Sequence, residues 1–349
     1  MKTNPQNESS DKIDLGDIDD VLAIEEKSGF KRHFSKWLSI ILPLLLGIFL
    51  IIYKYNQFTT EEIAEMKGYF RTADYFYINL SLGVSILGFL SRAHRWKYSL
   101  QHLGYVTKFH NNFFAVCIAY FINLTIPRSG EISRALVLKK YEGVPFDKAF
   151  GTIVAERIVD LIIFFLFVMA SLIFQFGVLK KFILANIPIE KLAMLFLAGG
   201  FLFLLFIGLW FYSKWKFIEE LKKKVSGLTE GFMSIFRMKN RGPFLFHSFF
   251  IWFTYILMFY ITVFALPETS NIGFGAVITG FVFGSLAIGF TNSGFGAYPL
   301  LIAEIFLIYG VPDTAGTAFG WLTWISQTLL MVILGFLSFI LLPILNRHD

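Results

Sequence analysis

Arg128, Glu131 and Arg134 stand three residues apart in the stretch NLTIPRSGEISR, so a helix that begins near Ser129 carries them on one face. Two cations and one anion leave that face net positive. The guanidinium group suits phosphate because its planar fork donates two parallel hydrogen bonds, and Ser129 is placed to cap a helix whose N-terminal dipole also favours anions. The chemistry implied is recognition of a phosphate headgroup, with Glu131 tuning the arginines or meeting a cationic group; a self-satisfied structural ion cluster is the alternative. Further on, Glu156, Arg157 and Asp160 lie within the apolar segment 149–176. Charges inside hydrocarbon are costly, face the interior of a helix bundle, and point to function by default. Glu156 and Asp160 share a face at i and i+4, and Arg157 reaches Asp160 at i and i+3. That pair could equally serve helix packing, and in either case it should face the first break, whose charges compensate it.

Two interruptions of apolar sequence must position these groups. The first is NLTIPRSGE, with Asn123, Thr125, Pro127, Ser129 and Gly130; the second is GFTNSGFGAYP, with Asn292, Ser293, Gly294 and Gly296. Backbone groups freed at such breaks cannot face lipid, where each unsatisfied group costs several kcal/mol. Asn123, Thr125, Ser129, Asn292 and Ser293 would satisfy them or meet a ligand. The plainer alternative is a pair of surface loops. Glu304 is the one carboxylate between the second break and Gly310, and simple solvation accounts for it equally well. Gly143, Val144, Pro145 and Asp147 are echoed by Gly310, Val311, Pro312 and Asp313, about 167 residues later. Matching interruptions in corresponding halves are the sequence pointer to a transporter binding site.

The rest of the chain supplies the frame. Hydrophobic residues make up 56% and charged residues 16% of 349, against about a quarter charged in soluble domains, so lipid is the expected solvent. Apolar segments run over about 37–53, 75–91, 111–126, 149–176, 190–212, 244–265, 272–291, 297–309 and 314–342, several of them near the length needed to cross about 30 Å of hydrocarbon. Basic residues mark cytoplasmic loops. Lys27, Lys31, Arg32 and Lys36 place the N-terminus inside, Arg92, Arg95, Lys97 and Lys108 mark the loop after the second span, and the 213–243 connection is strongly basic. If 111–126 crossed fully, Arg134, Lys139, Lys140 and Lys148 would lie outside. A hairpin that dips in and returns along 131–142 keeps them inside. The fold expected is therefore an all-α polytopic membrane protein with about six full spans and two re-entrant helical hairpins, related by an internal, inverted repeat. Residues 1–33 read as a polar cytoplasmic tail, 34–345 as one integral membrane domain, and both termini as cytoplasmic, in the cytoplasmic (inner) membrane.

Several chemistries find no support. Cys117 is alone, no GxxxxGK sequence followed by Ser or Thr is present, and the six histidines form no metal-spaced pair, so disulfide, Walker-type ATP and histidine-metal chemistry are not indicated. The net charge of +6 follows membrane orientation rather than nucleic-acid binding. No metal, cofactor or catalytic residue is expected.

The segment 123–160, with Asn123, Pro127, Arg128, Gly130, Glu131 and Arg134 followed after a GVP turn by Glu156, Arg157 and Asp160, resembles the lysylphosphatidylglycerol synthase transmembrane region family, also described as flippase-like. The resemblance covers about 37–342. It implies re-entrant helices and movement of a lipid between leaflets, in members that also carry a soluble aminoacyl-transferase domain, which this chain is expected to lack. The second half departs from the family pattern: Pro299 stands where a glutamate is usual, and Trp324 where Arg157 would repeat. The function expected is translocation of a phospholipid or other lipid-linked molecule, with the alternatives of a non-transporting accessory subunit in an envelope pathway or a lipid-modifying enzyme. Its expected partners are membrane lipids, whether anionic or aminoacylated phospholipid or polyprenyl-linked lipid, with a homodimer or an envelope-enzyme partner left open.

Overall fold

The computed structural model describes residues 41–42, 44–177, 180, 189–212, 215, 218–219, 222 and 237–347. The polar tail 1–33, the start of the first apolar segment and most of the basic connection lie outside the described residues. Within them the chain is helical and without strands. The helices are α1 (Leu44–Tyr55), α2 (Thr60–Thr72), α3 (Tyr75–His102), α4 (Phe109–Thr125), α5 (Gly130–Glu142) and α6 (Phe146–Phe174). They are followed by α7 (Ile189–Tyr212), α8 (Arg241–Val263), α9 (Phe274–Phe290), α10 (Ala297–Ile308) and α11 (Asp313–Leu345).

Four of these, α3, α6, α8 and α11, are long and apolar enough to cross a membrane, and shorter apolar helices accompany them. The chain is a polytopic α-helical membrane protein. Large apolar side chains lie exposed along the outer faces of α6 and α11, as surfaces in contact with lipid require. The count of long apolar helices falls short of the six spans expected, partly because the first apolar segment begins outside the described residues and partly because α7 holds its apolar stretch over Leu197–Leu209.

Local chemistry sets the helix ends. Thr59 and Glu62 form a reciprocal capping box at α2, satisfying donors that the first turn leaves open. Gly143 and Gly310 both take left-handed backbone after α5 and α10, and Pro145 and Pro312 both precede the long helices α6 and α11. Gly at the stop and Pro at the restart explain why both GVP sequences join a short helix to a long one. The helix after each break starts 167 residues from its counterpart, at Gly130 and Ala297, and so do the long helices, at Phe146 and Asp313.

One expectation about α3 needs correction. Arg92 and Arg95 were placed in a loop after a span ending near 91, but α3 continues unbroken to His102 and both arginines are buried. Helix-favouring residues carry the helix through the charges, and carboxylates of α6 receive them. His94 stacks on the His247 ring of α8. The helix α3 packs along α8, while α11 touches α2, α3, α4, α8 and α10, so α11 is the axis on which both halves assemble.

Candidate functional site

The sequence of α5 and α6 puts Arg134 and Glu156 on facing sides of two packed helices, and α3 brings two more arginines to the same place. Arg134 Nη1 donates to Glu156 Oε2 at 2.9 Å, and Arg95 reaches the same oxygen at 3.4 Å. Asp160 accepts from Arg92 at 3.1 Å and from both terminal nitrogens of Arg95. All five side chains are buried. Three cations against two anions leave a positive charge sealed in protein, which is tolerated only where hydrogen bonds and nearby dipoles compensate it. Ser248 takes one bond from Arg95 and Tyr255 one from Arg92. Arg134 lies over the Trp96 ring, 3.7 Å from guanidinium carbon to ring centroid, close enough for a cation–π contact.

The same residues border open space. A cleft of about 210 Å³, counted open to solvent, is lined by Arg92, Val116, Ala119, Tyr120, Asn123, Arg134 and Arg157. Arg157 pairs with Glu131 at 2.8 Å and stands 3.7 Å from Asp160, with its side chain 43% exposed. Arg134 keeps Nε and Nη2 without a partner among the described residues, and Glu156 keeps Oε1. Guanidinium donors of this kind are the groups that charge-assisted hydrogen bonds to oxyanions use.

The break itself differs from expectation in two respects. Ser129 does not cap α5; its hydroxyl donates back to the Ile126 carbonyl, and Asn123 Oδ1 accepts from the Gly130 amide at 2.7 Å instead. Arg128 does not share a helical face with Glu131 and Arg134, because α5 starts only at Gly130 and Arg128 sits before it in left-handed backbone, φ 62°. It is exposed and has no hydrogen bond or ion pair among the described residues. Thr125 is likewise exposed and bonds only the Ile122 carbonyl, while Pro127 is half-buried.

Gly130 is fixed by close approach. A Cβ there would overlap the Ala119 carbonyl oxygen and crowd Asn123, so α4 and α5 could not meet. Gly130→Ala is expected to lower the detergent melting temperature strongly, by the cost of overpacking, about 1–3 kcal/mol or more. Thermal unfolding followed by tryptophan fluorescence checks it, and an unchanged midpoint would contradict the close packing.

The second break reaches the first. Asn292 Nδ2 approaches the Leu124 carbonyl at 3.4 Å, and Ser293 Oγ donates to the Asn123 carbonyl at 3.2 Å. Gly294 and Gly296 both take positive φ, and a Cβ on Gly296 would overlap the Gly47 carbonyl of α1. Trp324, standing where Arg157 would repeat, donates its indole N–H to the Ser293 carbonyl at 2.8 Å. One half thus presents arginines and the other an indole, and the reason is local: the backbone carbonyl of Ser293 needs a donor, not a counter-ion. Glu304 is not simply solvated, since Lys54 pairs with it at 2.9 Å.

Of the residues singled out in the sequence, the structure brings Arg134, Glu131, Glu156, Arg157 and Asp160 together, and it adds Arg92, Arg95, Tyr120 and Tyr255, which sequence reading did not place there. The available signal was the apolar stripe Phe89, Ala93, Trp96 and Leu100, which keeps helical spacing past both arginines. The expectation that only the first break compensates Asp160 is corrected accordingly: its strongest partners come from α3.

Residues 38–335 match the family described as the lysylphosphatidylglycerol synthase TM region. A UPF0104 membrane protein of Methanocaldococcus jannaschii is 38% identical over 94 residues, a segment that covers 26% of this chain and 28% of the relative. The match therefore spans under a third of either protein. No solved structure matches the chain.

Proposed function

This chain belongs to the lysylphosphatidylglycerol synthase TM region family, and from that premise we propose that it moves lipids with anionic phosphate headgroups between the leaflets of the cytoplasmic membrane. The observation that carries the reading is the cleft in which Arg92, Arg134 and Arg157 meet while every carboxylate around them is already ion-paired. A phosphate entering there supplies the missing anion and accepts from the spare Arg134 donors. Glu131, the group best placed for a cationic headgroup, is taken by Arg157, which favours an anionic lipid over an aminoacylated one. In this reading only the headgroup enters the cleft, and the tails stay in lipid.

In this reading α4–α5 and α9–α10 are re-entrant hairpins that enter from opposite sides and are related by an inverted repeat, with their tips joined through Asn123 and Ser293. Lys139, Lys140 and Lys148 then remain cytoplasmic, as short basic loops do, and Asp313 faces outward. An enzyme that used Glu131 or Glu156 as a base would need a carboxylate free to take a proton, and both are held by arginines. An accessory subunit would have no need of spare donors in a cleft. Mass spectrometry of lipids that co-purify with the protein tests the proposal. Enrichment of phosphate-headgroup lipids over the parent membrane is expected, and a bound fraction that mirrors the membrane would contradict it.

A further inference from the structure

Two uncharged side chains on the wall of the arginine cleft carry donors that the protein does not use. Asn123 Oδ1 accepts from the Gly130 amide at 2.7 Å, and a backbone N–H can bond the oxygen of a side-chain amide but not its nitrogen, so the orientation of Asn123 is fixed. Its Nδ2 hydrogens have no partner among the described residues, on a half-buried side chain that lines the cleft. The second donor ends a relay. Arg92 Nη2 donates to Tyr255 Oη at 3.1 Å, and Tyr255 Oη lies 3.0 Å from Tyr120 Oη. Arginine cannot accept, so the Tyr255 oxygen is the acceptor in the first bond. Its own proton then goes to Tyr120, the direction in which successive bonds of a chain polarise one another. The Tyr120 proton is left without an acceptor among the described residues, and Tyr120, unlike Tyr255, lines the cleft.

Together with the unpartnered nitrogens of Arg92 and Arg134, the wall offers donors and no free side-chain acceptor. The spare carboxylate oxygen nearby, Glu156 Oε1, belongs to a side chain 1% exposed that takes no part in the wall. Charge points the same way. Arg92, Arg95, Arg134 and Arg157 face Glu131, Glu156 and Asp160, which leaves one positive charge, and Arg128 adds a second, off the wall but on the same break. A phosphate monoester carries about −1.5 to −2 charge at pH 7 and three strong acceptor oxygens. Esterifying it again removes one charge and one of those oxygens. The group so attached brings hydroxyl or ammonium donors, and a donor buried without an acceptor loses its hydration for nothing in return.

We propose that the cleft selects a terminal phosphate, the headgroup of a phosphomonoester lipid, and that Asn123 Nδ2 and the Tyr120 hydroxyl read it beside the arginines. Asn123 thereby has two roles on one side chain: its oxygen closes the turn into α5, and its nitrogen meets the ligand. Tyr255 is the positioning residue that sets the direction of the Tyr120 proton. The inference rests on the reading of this cleft as the headgroup site, and it is tested by binding, apart from transport.

The test follows the melting midpoint of the purified full chain in detergent while phosphatidic acid, phosphatidylglycerol or inorganic phosphate is titrated in, since a ligand of the folded state raises it. Phosphatidic acid is expected to act at about a tenth of the concentration that phosphatidylglycerol needs, the effect of one hydrogen bond to a charged group. Tyr120→Phe changes no charge and leaves Tyr255 its bond from Arg92, and it should bring that ratio toward one. Asn123→Asp keeps an oxygen for the Gly130 amide and puts an acceptor where the donor stood, so it should abolish the preference; should it fail to fold, Tyr120→Phe carries the test. Inorganic phosphate separates the sources of the group: a rise with phosphatidic acid alone assigns the lipid, and a rise with both assigns the phosphate itself. A midpoint raised as much by phosphatidylglycerol, or by neither lipid, overturns the proposal, as does a preference that survives in every folded variant. A preference for phosphatidic acid in binding, with no protein-dependent movement of either lipid in vesicles, would defeat the translocation reading and leave this inference standing.

Discussion

Asp160→Asn is expected to destabilise the protein by about 3–5 kcal/mol, the usual cost of removing one partner from a buried ion cluster. Asp160 takes bonds from Arg92 and Arg95 and stands near Arg157, and it is buried with them. Without its charge, Arg92, Arg95 and Arg134 retain only Glu156 as a buried counter-ion. The change should appear as a large fall in detergent melting temperature and as reduced yield from membranes. Glu131→Gln is the informative contrast. The Glu131 pair with Arg157 is partly exposed, and such pairs contribute about 0–1 kcal/mol, so its melting should stay near the parent. Equal losses in the two variants would mean that burial does not govern the cluster.

The parts legible from sequence were those set by local rules. The helix after the first break was expected over 131–142 and runs over Gly130–Glu142; its end at Gly143 is a backbone requirement that glycine announces. The long helices after both GVP turns were equally visible, since Pro and Gly act within a few residues. Partnership was not visible. That Asp160 binds Arg92 and Arg95 depends on α3 meeting α6 across some sixty residues of chain, and basic residues next to an apolar run look the same whether a loop or a buried helix end carries them. The cap by Asn123 in place of Ser129 was hidden for a similar reason: residue type allows either, and the hairpin geometry chooses. Lys54 with Glu304 and Asp313 joins the two ends of the described chain, beyond any local pattern.

Arg128→Gln should behave in the opposite way from Asp160→Asn. Arg128 is exposed, without a protein partner among the described residues, and held at φ 62°, a conformation that costs a non-glycine residue energy and recurs at functional sites. Gln carries the same backbone cost and removes no protein contact, so stability should change by no more than about 0.5 kcal/mol. Transport should fall much further. A hydrogen bond from a charged donor contributes about 1.5–3 kcal/mol, and loss of that amount from the rate-limiting state slows headgroup passage by about 10- to 100-fold. The parent and both variants need scoring side by side for melting temperature and for transport. If Arg128→Gln melted well below the parent, with transport falling only in proportion to surviving protein, the arginine would belong to the architecture and not to the ligand.

The central claim is that the arginine cleft carries an anionic headgroup across the bilayer, and the measurement that meets it most directly is headgroup accessibility in vesicles containing the purified full chain. A fluorescent lipid with a phosphate headgroup and no ammonium should lose its protected inner-leaflet fraction at a rate set by protein content, while a lipid with a net cationic headgroup in matched vesicles should not. Arg157→Gln, which removes a half-exposed guanidinium from the cleft wall, should bring the first rate down toward that of protein-free vesicles. A phosphate-lipid rate equal to the protein-free control for the folded parent, or equal acceleration of both lipids, would contradict the account.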